Sequence, residues 1–171
     1  MKCRQNWSSN CENSLNEQIK TEYRASYKYH QLASFFYRDD IGLDKLGDFF
    51  NKSSLEEREH ADKLLKYQCM RGGVVKLETL PIEELDLSLN NNESVLQGFT
   101  LALGLEKSVN QSLINLHKVA EESNDGQFAD FIEGEFLNEQ VEAISDLSKK
   151  ISQLEMIGDD GFGILSFVKN L

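Results

Sequence analysis

Apolar residues recur at alternating spacings of three and four along four long stretches of this chain, and each stripe is broken near its middle by a polar side chain. The first stripe runs Leu15, Ile19, Glu22, Ser26, Tyr29, Ala33, Phe36, and the second Leu46, Phe50, Ser53, Glu57, His60, Leu64, Tyr67. The third is Val95, Phe99, Ala102, Glu106, Val109, Leu113, Leu116, Ala120, and the fourth Phe136, Gln140, Ala143, Leu147, Ile151, Leu154. This rhythm marks one face of an α-helix. It predicts helices over 10–38, 43–72, 93–121 and 126–157, with Ser9 and Glu12 as a capping box at the start. Gly72-Gly73 closes the second helix, Asn92-Glu93 opens the third, and the turn 123–126 precedes the fourth. After Gly158, a very apolar stretch with Ile164, Leu165, Phe167 and Val168 predicts a short fifth helix over 161–170.

Residues 73–92 have no helical rhythm and hold the only proline, Pro81. Extended, about 20 residues reach about 60 Å, whereas a helix of about 28 residues is only about 42 Å long. The connection can therefore cross the length of the bundle and set the third helix parallel to the second. The expected fold is all-α: one domain over 1–171, a four-helix bundle with one long crossover loop and a short fifth C-terminal helix.

The four interruptions are Glu22, then Glu57 with His60, then Glu106, then Gln140. A buried acid costs several kcal/mol unless paired or metal-bound. Three acids at one height would repel each other strongly. Two cations held between them remove both penalties, and oxygen and nitrogen donors suit iron, zinc or manganese. Glu57 and His60 stand three apart, so they share a helix face. Bundles that hold two metals often carry Glu-x-x-His on two helices. Here only Glu57-x-x-His60 is present, because the fourth helix offers Gln140 with no following histidine. One ion is expected on Glu22, Glu57 and His60, and a weaker second on Glu57, Glu106 and Glu22. Gln140 is a poor ligand but a good hydrogen-bonding group. Such a site suits ions that are processed and released. Glu56, Glu59 and Asp62 crowd the same turns.

Charge narrows the partners. The 171 residues hold 29 acids against 18 Lys and Arg, a formal charge of -11, which disfavours nucleic acid and anionic membranes and favours cations. No apolar run approaches membrane-spanning length, and the N-terminal residues lack the apolar core of a signal peptide. Cys3, Cys11 and Cys69 make no disulfide framework. The expectation is a cytosolic protein.

Five segments resemble eukaryotic ferritin: 25–29 (Ala-Ser-Tyr-Lys-Tyr), 56–61 (Glu-Glu-Arg-Glu-His-Ala), 71–73 (Arg-Gly-Gly), 105–113 (Leu-Glu-Lys-Ser-Val-Asn-Gln-Ser-Leu) and 137–141 (Leu-Asn-Glu-Gln-Val). The likeness runs in order from about residue 4 to the end. It implies that Glu22, Glu57, His60, Glu106 and Gln140 form the ferroxidase centre of a heavy-type subunit. Tyr29 stands beside that centre, and Glu56 at its exit. There Fe²⁺ would be oxidised in pairs, a dinuclear iron centre using O₂ as oxidant. Glu56, Glu59 and Asp62 match the acidic patch where mineral forms, with Asp62 in place of the usual glutamate. His117, Asp130 and Glu133 match the threefold iron-entry channel, whose frequent cysteine is Ala129 here. Ile164 and Val168 would face the fourfold pore. The resemblance also implies a 24-subunit homo-oligomeric shell, open to co-assembly with other ferritin subunits, and a longer loop at Leu87–Asn92 near a subunit contact. Rival readings are a passive storage shell without significant oxidation, a di-iron oxygenase (which would have both Glu-x-x-His motifs) or a peroxide-detoxifying relative, and a metal-free scaffold.

Overall fold

A computed structural model of the chain describes residues 2–85, 87 and 91–171, with the side chains of 91 and 92 excepted. The helices are α1 (Ser9–Phe36), α2 (Asp44–Met70), α3 (Asn91–Glu122), α4 (Gly126–Ile132), α5 (Asn138–Ile157) and α6 (Gly161–Lys169). A wide π turn, Glu133–Leu137, joins α4 to α5. Among the described residues there is no strand, and no helix is long and apolar enough to cross a membrane.

Pairs of contacts fix the directions. Ser26 and Ser54 exchange hydroxyl-to-carbonyl hydrogen bonds of 2.6 and 2.7 Å, and Gln68 reaches back to the Glu12 carbonyl, so α1 and α2 are antiparallel. Gln18 meets Ser112 while Tyr29 meets Glu106, so α1 and α3 are antiparallel too. Hence α2 and α3 run parallel, as the crossover allows. His117–Glu133 and Glu106–Gln140 set the fourth helical segment against α3. The result is a four-helix bundle with one long crossover and a short fifth helix. The expanded stretch Leu87–Asn92 lies largely outside the described residues.

The apolar core falls into two clusters. One holds Phe36, Phe50, Phe99, Leu147 and Leu154. The other holds Leu15, Ile19, Leu64, Leu113, Phe128 and Phe136. The polar interruptions lie between them.

The details depart from expectation in four places. The N-cap is Ser8, whose hydroxyl accepts from the Cys11 N–H at 3.0 Å. Glu12 is drawn away from capping, because it accepts from the Val74 N–H at 2.8 Å and from Arg4. On α2 the buried serine is Ser54, not Ser53, because the paired serines let the two backbones approach. The fourth helix is not continuous. Phe128, Ile132, Phe136 and Gln140 are all buried. Three successive steps of four would rotate by roughly 120° in a regular helix. The π turn absorbs the extra residue and keeps all four inward. Finally, Ile164 and Val168 pack into the bundle end rather than facing a pore. The exposed apolar residues of α6 are Phe162 and Leu165.

The Arg71-Gly72-Gly73 corner ties α2 to the next elements. Gly72 has φ +74°, and a Cβ there would sit 2.9 Å from the Arg4 backbone nitrogen, so glycine is needed twice over. Arg71 makes hydrogen bonds of 2.6 and 3.1 Å to Asp125, donates to the Asn6 carbonyl, and stacks on Trp7. Asp125 is buried and also caps α4 by accepting from the Phe128 N–H.

Candidate metal centre

The polar residues that break the stripes converge. α1 supplies Glu22, α2 Glu57 and His60, α3 Glu106, and α5 Gln140. Glu22 is 0 % exposed, Glu57 3 %, Gln140 5 % and Glu106 6 %. Ligand-capable atoms of Glu22, Glu57 and His60 all lie within 4.8 Å of one another. His60 Nδ1 is 3.2 Å from Glu57 Oε2, and its Nε2 is 3.3 Å from Glu139 Oε2. A carboxylate on the far ring nitrogen is the common companion of a metal-binding histidine.

Glu106 is held from two sides. The Tyr29 hydroxyl donates to its Oε1, and Gln140 Nε2 donates to its Oε2 at 3.1 Å. Gln140 thus acts here as a hydrogen-bond donor to a carboxylate. Glu22 Oε1 accepts from Gln18 Nε2 at 2.7 Å, and Ser112 donates to Gln18 Oε1 at 2.5 Å. Glu22 Oε2 is buried without a hydrogen-bond partner.

Electrostatics make this cluster a receptor for positive charge. Burial pushes the carboxyls of Glu22 and Glu57 well above the usual range, and the neighbouring Glu57 and Glu106, respectively, push them further. Burial raises Glu106 as well, opposed by its hydrogen bond from Tyr29. Burial and then the Glu106 charge hold the Tyr29 phenol well above its ordinary value. Without a cation, burial and mutual repulsion disfavour the charged forms of these carboxyls. A divalent ion inverts that preference, since it pairs with the charged forms directly. The donor set of oxygens and one imidazole fits iron, zinc or manganese. A cavity of about 450 Å³ leads from Glu57, His60, Glu106 and Gln140 outward past Glu56, Glu139 and Asp146.

The remaining acids are not equally placed. Glu56 lines that cavity, with Lys52 Nζ 3.4 Å away. Glu59 is exposed, and Asp62 turns toward α1, where the Tyr23 hydroxyl is 3.5 Å off. Steps of three rotate by roughly 60° each on a helix. Glu56, Glu59 and Asp62 therefore fan around α2 instead of converging. Elsewhere, His117 Nε2 stands 2.6 Å from Glu133 Oε1, its Nδ1 3.6 Å from Glu121, while Asp130 is exposed one turn before Glu133.

Three residues near the centre escaped the stripe reading. Gln18 was legible as the residue four before Glu22, a spacing that lets an amide reach a carboxylate. Ser112 lies within one of the five motifs but carries no ligand chemistry. Glu139 neighbours Gln140 in sequence, yet only the placement of α5 against α2 brings it to His60.

Buried carboxylates, an imidazole and an amide, brought from four helices of a bundle with one long crossover, define a carboxylate-rich metal-site bundle protein. The chain belongs to the ferritin family: a ferritin-like domain matches residues 12–157. It is 50% identical over 155 residues to ferritin-4, chloroplastic, of Arabidopsis thaliana, covering 91% of this chain and 60% of that relative. It is 47% identical over 168 residues to the chloroplastic ferritin of Malus baccata var. xiaojinensis, covering 98% and 67%. Against ferritin-3, chloroplastic, of Glycine max it is 47% identical over 164 residues, covering 96% and 64%. The chain thus spans about two thirds or less of these relatives' lengths. Their chloroplastic names overturn the cytosolic expectation. The error has a physical source. Three free cysteines argue against an oxidising compartment but do not choose among reducing ones.

Proposed function

We propose that this chain is a heavy-type ferritin subunit that stores iron, oxidising Fe²⁺ to Fe³⁺ at a dinuclear centre within each subunit and passing the product into a 24-subunit shell. The observation that carries the reading is the convergence of Glu22, Glu57 and His60 within 4.8 Å, with Glu106 beside them. The ferritin names of its relatives support it. Glu22, Glu57 and His60 hold one ferrous ion, and Glu57 and Glu106 share the second. Gln140 and Tyr29 keep Glu106 aimed by their hydrogen bonds. Two ferrous ions release two electrons together, which takes O₂ to the peroxide level with two protons. The chain's part is to hold the pair close and to leave open positions toward the cavity. Glu56 and Glu139 at the mouth offer the ferric product its next ligands. Exposed acids at Asp130 and Glu133 draw cations toward the shell.

The test is stopped-flow oxidation of Fe²⁺ by O₂. The double substitution Glu57→Ala, His60→Ala is expected to slow the fast phase by at least about 100-fold, corresponding to about 2.7 kcal/mol at the barrier. Oxidation at the wild-type rate in that variant would instead leave a passive storage shell.

A further inference from the structure

Gln18 is a fully buried amide, 1 % exposed, at a place where the stripe of α1 could have held leucine. Such a group is tolerated only when hydrogen-bonded. Its two partners come from different elements and differ in kind. Ser112, on α3, donates its hydroxyl proton to Gln18 Oε1 at 2.5 Å. Gln18 Nε2 donates to Glu22 Oε1 at 2.7 Å. The amide has one sensible orientation. Turned over, it would set its carbonyl oxygen against the Glu22 carboxylate, acceptor to acceptor. The serine hydroxyl, accepted by Oε1, selects the orientation in which N–H faces the carboxylate. Glu22 is then held by one oxygen. The other, Oε2, stays buried with no hydrogen-bond partner, and a carboxylate oxygen of Glu22 lies within 4.8 Å of ligand atoms of Glu57 and His60.

We propose that Gln18 and Ser112 are positioning residues of the metal centre: Ser112 sets the amide of Gln18, and Gln18 anchors Glu22 Oε1 so that Oε2 faces the cation shared with Glu57 and His60. This rests on the reading of the cluster as a metal centre. Neither residue touches the ion. Both act through Glu22, and the relay crosses from α3 to α1, so it also locks the register between those helices at the height of the site. A leucine at 18 preserves the core volume and removes only the amide. An alanine at 112 removes only the hydroxyl, and a threonine restores it.

Co²⁺ is the probe, read by isothermal titration and by its visible ligand-field bands, on the assembled protein carrying Gln18→Leu, Ser112→Ala, Ser112→Thr or Glu22→Ala. The wild type and Ser112→Thr are expected to bind tightly with the same bands. Gln18→Leu and Ser112→Ala are expected to lose about 10- to 100-fold in affinity, the usual effect of removing a group that orients a ligand. Their metal-free melting should fall modestly, as an unmet buried hydrogen bond requires, and their bands should shift, which lost stability alone does not cause. Glu22→Ala should lose the tight ion. Wild-type affinity and bands in Gln18→Leu and Ser112→Ala, with loss in Glu22→Ala, would overturn the relay and leave the centre standing. Equal binding by wild type and Glu22→Ala would overturn the centre itself, and the relay with it. Should the leucine variant fail to fold, the alanine and threonine pair at 112 decides alone.

Discussion

At the scale of single residues, the centre is built from groups that the metal-free fold holds against their preference. Glu57 is the clearest case. Burial raises its carboxyl well above the ordinary value, then the charge of Glu106 raises it further. A raised acid binds its proton more tightly in the folded state than in the unfolded one. Its contribution is therefore fully present below the unfolded value, near 4.5, and is lost as pH rises toward the folded value. Metal-free protein should accordingly lose stability as pH climbs from acid to neutral. Glu57→Gln should flatten that fall and melt above wild type at neutral pH without metal. Adding Zn²⁺ should reverse the ranking, because the wild type gains a ligand charge that glutamine lacks. Differential scanning calorimetry over pH, with and without Zn²⁺, checks both signs. The ligands themselves were legible in sequence because each replaces an apolar residue on a regular stripe. Their distances were not, since no local pattern says how far apart four helices pass.

Elements decide the aim of those residues. The π turn between α4 and α5 lets Phe128, Ile132, Phe136 and Gln140 all face inward. Deleting Gly134, inside the turn, removes one residue where one is surplus. A regular helix should result with both faces kept, and thermal denaturation should shift by less than the roughly 4 °C that about 1 kcal/mol represents in a domain of this size. Deleting Glu142, downstream of Gln140, should swing Leu147, Ile151 and Leu154 about 100° from the core and abolish cooperative melting. Equal effects of the two deletions would show that the wide turn is not what holds the register. The spacings that betray it are present in sequence, but they look like helix until the inward face is known at both ends. A second element-scale device is the Arg71–Asp125 pair, 2.6 Å apart, with Asp125 almost wholly buried. Arg71→Ala strands a buried carboxylate and removes the cover over Trp7. A loss of about 3 kcal/mol is expected in denaturant titrations.

For the whole molecule, net charge and exposed apolar surface point in complementary directions. A formal charge of -11 draws cations and keeps free subunits apart. If the chain assembles as proposed, surface burial has to carry the contact. On α6, Phe162 is 83 % exposed and Leu165 half exposed, while Ile164 and Val168 face the bundle. If the chain builds a closed shell as proposed, Phe162→Glu with Leu165→Glu should yield smaller species in sedimentation velocity. Helical circular dichroism should be unchanged, since those side chains contribute nothing to the subunit core. A full-sized shell from that double variant would remove α6 from the contacts.

What the sequence by itself determined is the order of the helical segments, the long crossover and the polar residues that interrupt each buried face. These follow from periodicity and from the penalty for burying charge, both of which are local. Tertiary structure alone decided which atoms meet: Glu139 on His60, Ser112 on Gln18, Asp62 turned to α1, and Ile164 and Val168 turned into the bundle rather than outward. Those contacts depend on the distance, height and rotation of one helix against another, which are set by packing across the core and not by the order of residues along any one helix.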